Sequence, residues 1–262
     1  MCLILLSYKQ HPLYPLVFAA NRDEFYDRPT APASFWEDSP DLLAGRDLKE
    51  GGTWLGVTQG GRMAALTNYR DPASVNVRAP SRGWLVRDYL RGCEDEETFL
   101  KKLEKQADRY NGFSVILGNP SRLYYFSNRN GTIALTPGLY GLSNALLNTP
   151  WPKVERGRQK LGALLAKTGD PSAEDLFSVL KDSTRPEDGR LPDTGIGLEW
   201  ERILSSMFIT SPGYGTRSSS LLLMNQKRQV TFIERTYERG SEPGETVKFE
   251  FTIAGDGRHV EA

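Results

Sequence analysis

The hydrophobic positions at the start of the chain come as unbroken runs rather than as alternation. Leu3-Ile4-Leu5-Leu6 and Leu16-Val17-Phe18-Ala19-Ala20 flank a polar break over residues 7–12. Strands written this way are covered on both faces, so the opening reads as a hairpin of two buried strands. The second run ends abruptly in Asn21-Arg22-Asp23-Glu24. Residues 26–47 contain Pro29, Pro32 and Pro40 and read as loop with at most short strands, pinned to the core by Phe35 and Trp36. Gly51-Gly52-Thr53-Trp54-Leu55-Gly56-Val57 is a tight turn feeding a strand. Gly60-Gly61 is a hairpin signal, and 62–68 is the return strand.

After a polar loop over 70–82, helices are expected at 83–90 and 94–110. In the second, Phe99, Leu100, Leu103, Ala107 and Tyr110 recur at helical spacing, with four acids in its first turn. Strands follow at 113–117, 123–127, 132–135 and 138–143. Thr149 is the expected N-cap, with Pro150 at the first helical position, of a helix running to about 167. A short helix starts at Ser172, 182–199 is loop, and strands close the chain at 216–224, 229–235 and 246–253. Strands, then helices, then strands again imply an α+β fold with sheets in the centre and helices outside, in four layers. No repeat or linker divides the 262 residues, so one domain over 1–262 is expected.

Composition narrows the chemistry. Lys and Arg together number 33, as do Asp and Glu, so nothing calls for nucleic acid or an anionic membrane surface as a partner. Two cysteines, Cys2 and Cys93, make no disulfide framework, which points to a reducing compartment. With no basic leader segment and no run long enough to span a membrane, the expectation is a cytoplasmic protein acting on a small-molecule substrate or ligand. His11 and His259 are the only histidines and belong to no ligand cluster, so a His-based triad, a zinc site or a resident cofactor is not expected.

An isolated cysteine is most often a small hydrophobe. Position 2 changes this reading, because methionine is usually trimmed before a small second residue. Cys2 would then carry a thiol and a free amine with a pKa of about 8, uniting nucleophile and base. The thiol needs nearby positive charge to ionise, which Arg22 can supply if the second strand runs beside the first. Alternation sets Arg22 and Glu24 on one face and Asn21 and Asp23 on the other, and parity alone does not say which face meets the sulfur. Asn68 and Asn144 end apolar strands, where asparagine is commonly turn chemistry; beside a nucleophile they are candidate oxyanion donors. Arg217 is either a second charge at the site or a surface arginine.

Taken together, Met-Cys, Asn21-Arg22-Asp23-Glu24, Gly51-Gly52-Thr53-Trp54-Leu55-Gly56, Leu66-Thr67-Asn68-Tyr69, Tyr140-Gly141-Leu142-Ser143-Asn144 and Pro212-Gly213-Tyr214-Gly215-Thr216-Arg217 resemble the NRDE family, also called the transport and Golgi organisation family. That family is similar to N-terminal-nucleophile hydrolases of the bile salt hydrolase and penicillin V acylase group. The resemblance implies a four-layer αββα sandwich, with Cys2 as nucleophile, Asn68 and Asn144 as oxyanion donors and Arg217 as the late arginine of the site. Arg22 and Asp23 match the arginine and aspartate of the second strand, which are not adjacent in those hydrolases, so Asp23 and Glu24 stay alternatives. Trp54, Tyr69 and Tyr214, inside these motifs, are assigned to substrate binding. The implied activity is hydrolysis of an amide or acyl (thio)ester bond. The alternative is non-catalytic binding or trafficking of haem, as cargo rather than cofactor, or of a lipid or acyl-CoA.

Overall fold

The computed structural model describes residues 2–167, 169–240 and 242–253. The opening runs form β1 (Cys2–Tyr8) and β2 (Leu16–Phe25), paired antiparallel. Around them a first sheet takes the order β10-β1-β2-β11-β12-β13, where β10 is Gly138–Leu142, β11 Tyr214–Met224, β12 Gln229–Tyr237 and β13 Pro243–Thr252. The second sheet runs in sequence order from β3 (Thr30–Trp36) and β4 (Ser39–Asp47) through β5 (Leu55–Thr58) and β6 (Met63–Asn68). It ends with β7 (Phe113–Asn119), β8 (Arg122–Ser127) and β9 (Gly131–Ala134).

The unbroken runs are explained by what covers them. Ile4, Leu6, Phe18 and Ala20 face the second sheet, where Leu43, Leu55, Val57 and Ile116 meet them. Leu3, Leu5, Val17 and Ala19 point the other way, onto α3 (Pro152–Leu165) and α4 (Ala173–Leu180), through Val154, Leu161, Leu176 and Leu180. The outer face of the second sheet is covered by α1 (Gly83–Arg91) and α2 (Glu96–Gln106), with Val86, Tyr89, Leu100 and Leu103 packed on Ala44, Val115 and Leu117. The result is the expected four-layer αββα sandwich. Leu3 to Leu6 are fully buried, each contributing about 1.5–3 kcal/mol of burial. A slip of β1 by one residue would exchange its two apolar faces.

Two expectations are corrected. Residues 26–47 hold two strands of seven and nine residues rather than loop. Pro32 is accommodated because β3 is the edge strand and its pairing with β4 is irregular between Ala31 and Ser34. The helix expected from Thr149-Pro150 starts instead with Trp151 at the N-cap and Pro152 behind it, while the Thr149 hydroxyl donates to the Leu146 carbonyl. The loop expected over 182–199 runs to Gly197, broken only by a 3-10 turn at Asp188–Arg190, and a short helix, α5 (Leu198–Ile203), follows it. Two glycines bring α3 down on the first sheet: a Cβ on Gly141 would lie 2.7 Å from Val154 Cγ1, and one on Gly157 would lie 2.7 Å from Leu5 Cδ2.

Candidate active site

β1 and β2 align Cys2 directly opposite Arg22. Residues opposed across an antiparallel pair point to the same side, and here that side is the space between the sheets. Glu24, two residues on, shares it, whereas Asn21 and Asp23 point outward. The Asn21 amide nitrogen accordingly donates to the carbonyls of Leu180 and Met207 on the helical side. The parity left open by the sequence is thereby decided, with Arg22 and Glu24 on the sulfur's face.

A cavity of about 240 Å³ opens at this end of the sandwich. Cys2, Arg22 and Glu24 line it from the first sheet. Trp54, just before β5, and Asn68, at the end of β6, line it from the second, and Arg82, before α1, closes it. The Cys2 side is nearly dry, at 8% exposure. Burial pushes its thiol pKa up and the Asp23 carboxylate adds to the effect; Arg22 and a hydrogen bond from the Asp23 backbone oppose it without cancelling it. The thiol therefore rests protonated at neutral pH and needs a base to react. Arg22 is 6% exposed; its Nη2 lies 4.0 Å from Glu24, and its Nη1 is buried without a hydrogen-bond partner. Arg82 donates to the Gly112 carbonyl at 2.9 Å. Burial brings its pKa down to about 10, while the charges of Cys2 and Glu24 pull the other way. Arg28, held by Asp47 at 2.6 Å, completes a wall rich in guanidinium groups.

The other expected residues lie at graded distances from the sulfur. Asn144 is buried one step behind the cavity wall: its amide nitrogen donates to the Asn68 carbonyl at 3.0 Å, and its own carbonyl accepts from the Arg70 backbone. The neighbouring Ser143 hydroxyl donates to the Cys2 carbonyl at 3.1 Å. These bonds tie the ends of β10, β1 and β6 together across the two sheets. Asp23 accepts from the Thr216 hydroxyl at 2.7 Å, and burial raises its pKa. Tyr214 is buried against the same strand, donating to the Asp23 carbonyl at 2.9 Å, and Tyr69 sits beside Arg129; neither lines the cavity. Arg217 occupies a bulge in β11 and donates to the carbonyls of Phe25 and Arg28. It borders a second cavity of about 220 Å³ that shares Arg22 and Trp54 with the first.

Arg82 and the buried Lys153 carry no signal in the sequence: one lies in a segment read only as polar loop, and the other in the first turn of α3. His11 accepts from the backbone of Leu13 and Tyr14, a turn role. Met1 and His259, and with them the Met1–Cys2 bond, lie outside the described residues. Among the described residues no cluster of His, Cys, Asp and Glu is arranged to hold a metal, and no helix is long and apolar enough to cross a membrane.

The family described as Transport and Golgi organisation 2 matches residues 1–239. The human Transport and Golgi organization protein 2 homolog is 38% identical over 275 residues, covering 97% of this chain and 99% of its own. The Drosophila melanogaster Transport and Golgi organization protein 2 is 30% identical over 264 residues, covering 90% and 92%. Among solved structures, a Caenorhabditis elegans N-acylethanolamine-hydrolyzing acid amidase ortholog aligns over 85% of this chain and 92% of its own, at 11% identity and a TM-score of 0.49. A mutant of the conjugated bile acid hydrolase from Clostridium perfringens aligns over 99% and 100%, at 11% identity and a TM-score of 0.47.

Proposed function

For a chain that belongs to the Transport and Golgi organisation 2 family and holds the thiol of its second residue inside a cavity, we propose that the activity is N-terminal-cysteine hydrolysis of an amide or acyl (thio)ester bond in a small molecule. The observation that carries this reading is the register that sets Cys2 opposite Arg22 on the inner face. Once Met1 is removed, the Cys2 amine takes the thiol proton and the thiolate attacks the carbonyl carbon. Arg22 and Arg82 supply the positive field that favours the thiolate. Asn68 donates to the oxyanion from the cavity wall, with Asn144 holding it from behind. Collapse of the tetrahedral species breaks the scissile bond, the amine returns its proton to the leaving nitrogen or sulfur, and an acyl thioester remains on Cys2. Water, deprotonated by the same amine, releases the acid. Trp54 forms the wall shared with the second cavity, where Arg217 meets the far end of the ligand; Tyr214 and Tyr69 back the site.

One observation favours a second reading, in which the same scaffold binds haem or an acylated lipid without turnover: burial keeps the Cys2 thiol in its neutral form. Mature protein, its N-terminus verified by intact mass, is screened against amides and thioesters beside Cys2→Ala. Turnover lost in Cys2→Ala is expected. Equal turnover in both proteins removes the hydrolase reading, and saturable ligand binding that survives Cys2→Ala and Asn68→Ala, without turnover, establishes the second.

A further inference from the structure

Four arginines line the cavity that holds Cys2, and three of them have an acidic partner. Arg28 is held by Asp47 at 2.6 Å, Arg46 by Asp38 at 2.9 Å, and Arg22 lies 4.0 Å from Glu24. Arg82 differs from these. Among the described residues no carboxylate stands within ion-pair distance of it, and its one side-chain hydrogen bond runs from Nη1 to the Gly112 carbonyl at 2.9 Å. A guanidinium carries five N–H donors. The Nε and Nη2 of Arg82 are neither bonded nor sealed inside the protein, and they remain accessible at the cavity the residue lines.

The fold holds this guanidinium in place. Arg82 immediately precedes α1, whose first residue, Gly83, packs on the turn before β5. There the Thr53 amide donates to the Gly83 carbonyl at 3.2 Å, and a Cβ on Gly52 would lie 2.6 Å from the Gly83 carbonyl carbon. At the tip, the Gly112 carbonyl that receives Nη1 is itself fixed by the Tyr69 amide at 2.8 Å. A long side chain tied at both ends has lost much of its rotamer freedom before any ligand arrives, which lowers the cost of binding.

With its pKa brought down to about 10 by burial, Arg82 is still cationic at neutral pH, and its charge is poorly solvated. Such a cation, lacking an acid of its own, gains more from an incoming anion than an exposed arginine does. Guanidinium and carboxylate groups are equal in number along the cavity wall, so a polyanion meets repulsion as well as attraction there. One unpaired planar fork matches one singly charged planar oxyanion.

We propose that Arg82 is the specificity-determining anchor for a carboxylate on the ligand, selecting molecules that carry one beyond the group presented to Cys2. The inference deepens the hydrolase reading and rests on it only for calling that ligand a substrate.

Thiol reagents test this without turnover. Maleimides with N-alkyl chains of increasing length are made in pairs, one ending in a carboxylate and the other in the neutral carboxamide. In both, the Cys2 thiolate adds across the same double bond, so the ratio of the two rates cancels the thiolate fraction and with it the field of Arg82 on the sulfur. The protein is the full chain carrying Cys93→Ser. At the chain length that reaches Arg82, the carboxylate-to-carboxamide ratio is expected to fall about tenfold in Arg82→Met, the effect of losing a charge-assisted hydrogen bond. Arg82→Lys, which keeps a charge without the fork, is expected to recover part of it. Arg46→Met removes a paired guanidinium from the same wall and is expected to change the ratio less than about twofold. A ratio that Arg82→Met leaves unchanged at every length, or that Arg46→Met lowers equally, overturns the proposal. Should Arg82→Met not fold, Arg82→Gln reads the same ratio with the same outcomes. If the ratio falls in a protein that hydrolyses neither amides nor thioesters, the hydrolase reading fails while the anchor stands. Turnover lost in Cys2→Ala, with the ratio unchanged in Arg82→Met, removes the anchor alone.

Discussion

Removing Arg22 is the most direct probe of how this fold treats its cysteine. Arg22 lies opposite Cys2 in the register and is nearly fully buried, so its charge acts on the sulfur through protein rather than water. At the roughly 5–6 Å typical of side chains opposed across an antiparallel pair, and an effective dielectric of about 20, a unit charge contributes about 3 kcal/mol to the thiolate. Glu24, 4.0 Å from the guanidinium, cancels part of this, and Arg82 remains on the far wall. Half of the gross figure, about 1.4 kcal/mol, corresponds to a roughly tenfold loss of thiolate at fixed pH. Arg22→Met keeps the length of the buried stem and removes only the charge. The assay is the rate of iodoacetamide alkylation at Cys2 against pH, in a Cys93→Ser background because Cys93 is an exposed free thiol. The profile should shift to higher pH, with a rate at pH 7 about a tenth of the parent's. A superimposable profile would show that Arg22 does not act on the sulfur, and the electrostatic account of the site would be wrong.

Four further outcomes are expected. Because burial sets the folded pKa of Asp23 above its unfolded value of about 3.9, the native state loses stability as pH rises through that folded pKa. Asp23→Asn should therefore raise the urea midpoint at pH 7, with the difference vanishing toward pH 3. Arg70→Met strands Glu201 as a buried unpaired carboxylate and should cost about 3–5 kcal/mol in urea unfolding. Arg70→Met combined with Glu201→Leu should recover most of it, and a purely additive double mutant would refute the pairing. At Gly52 an added Cβ would lie 2.6 Å from the Gly83 carbonyl carbon, a backbone atom at the start of α1. Gly52→Ala should thus lower stability by about 1–3 kcal/mol, read as a drop in melting temperature. Finally, Asn144→Ala removes the 3.0 Å bond to the Asn68 carbonyl and should reduce turnover more than it reduces stability, checked by activity and thermal melting on the same samples.

Much of this molecule is legible in one dimension wherever the signal is local. The runs at 3–6 and 16–20 say that both faces of two strands are covered, and the structure covers them with a sheet on one side and helices on the other. Two covered faces, with helical periodicity in the middle of the chain, imply a layer on each side of these strands, and the fold makes one of those layers a second sheet. In 26–47 the prolines read as breakers, whereas on an edge strand the missing amide hydrogen has no ladder bond to lose. Cys2, Arg22 and Asn68 stand out in the sequence from their places at strand ends, and the structure brings them to one cavity. Asn144 follows an apolar strand in the sequence, and only the fold shows that its amide is spent on the Asn68 backbone.

By itself, then, the sequence determined which segments are strands buried on both sides, and that a thiol begins the first of them. Only tertiary structure decided what faces that thiol. Strand alternation leaves two faces equally consistent with the pattern, and pairing register selects one, setting Arg22 inward and Asp23 outward. Arg82 reaches the cavity that holds Cys2 from 80 residues away in the chain, and Lys153 is buried in the first turn of α3, which no local periodicity can report. Their effect on the site is electrostatic and depends on burial, a property that exists only once the layers have closed.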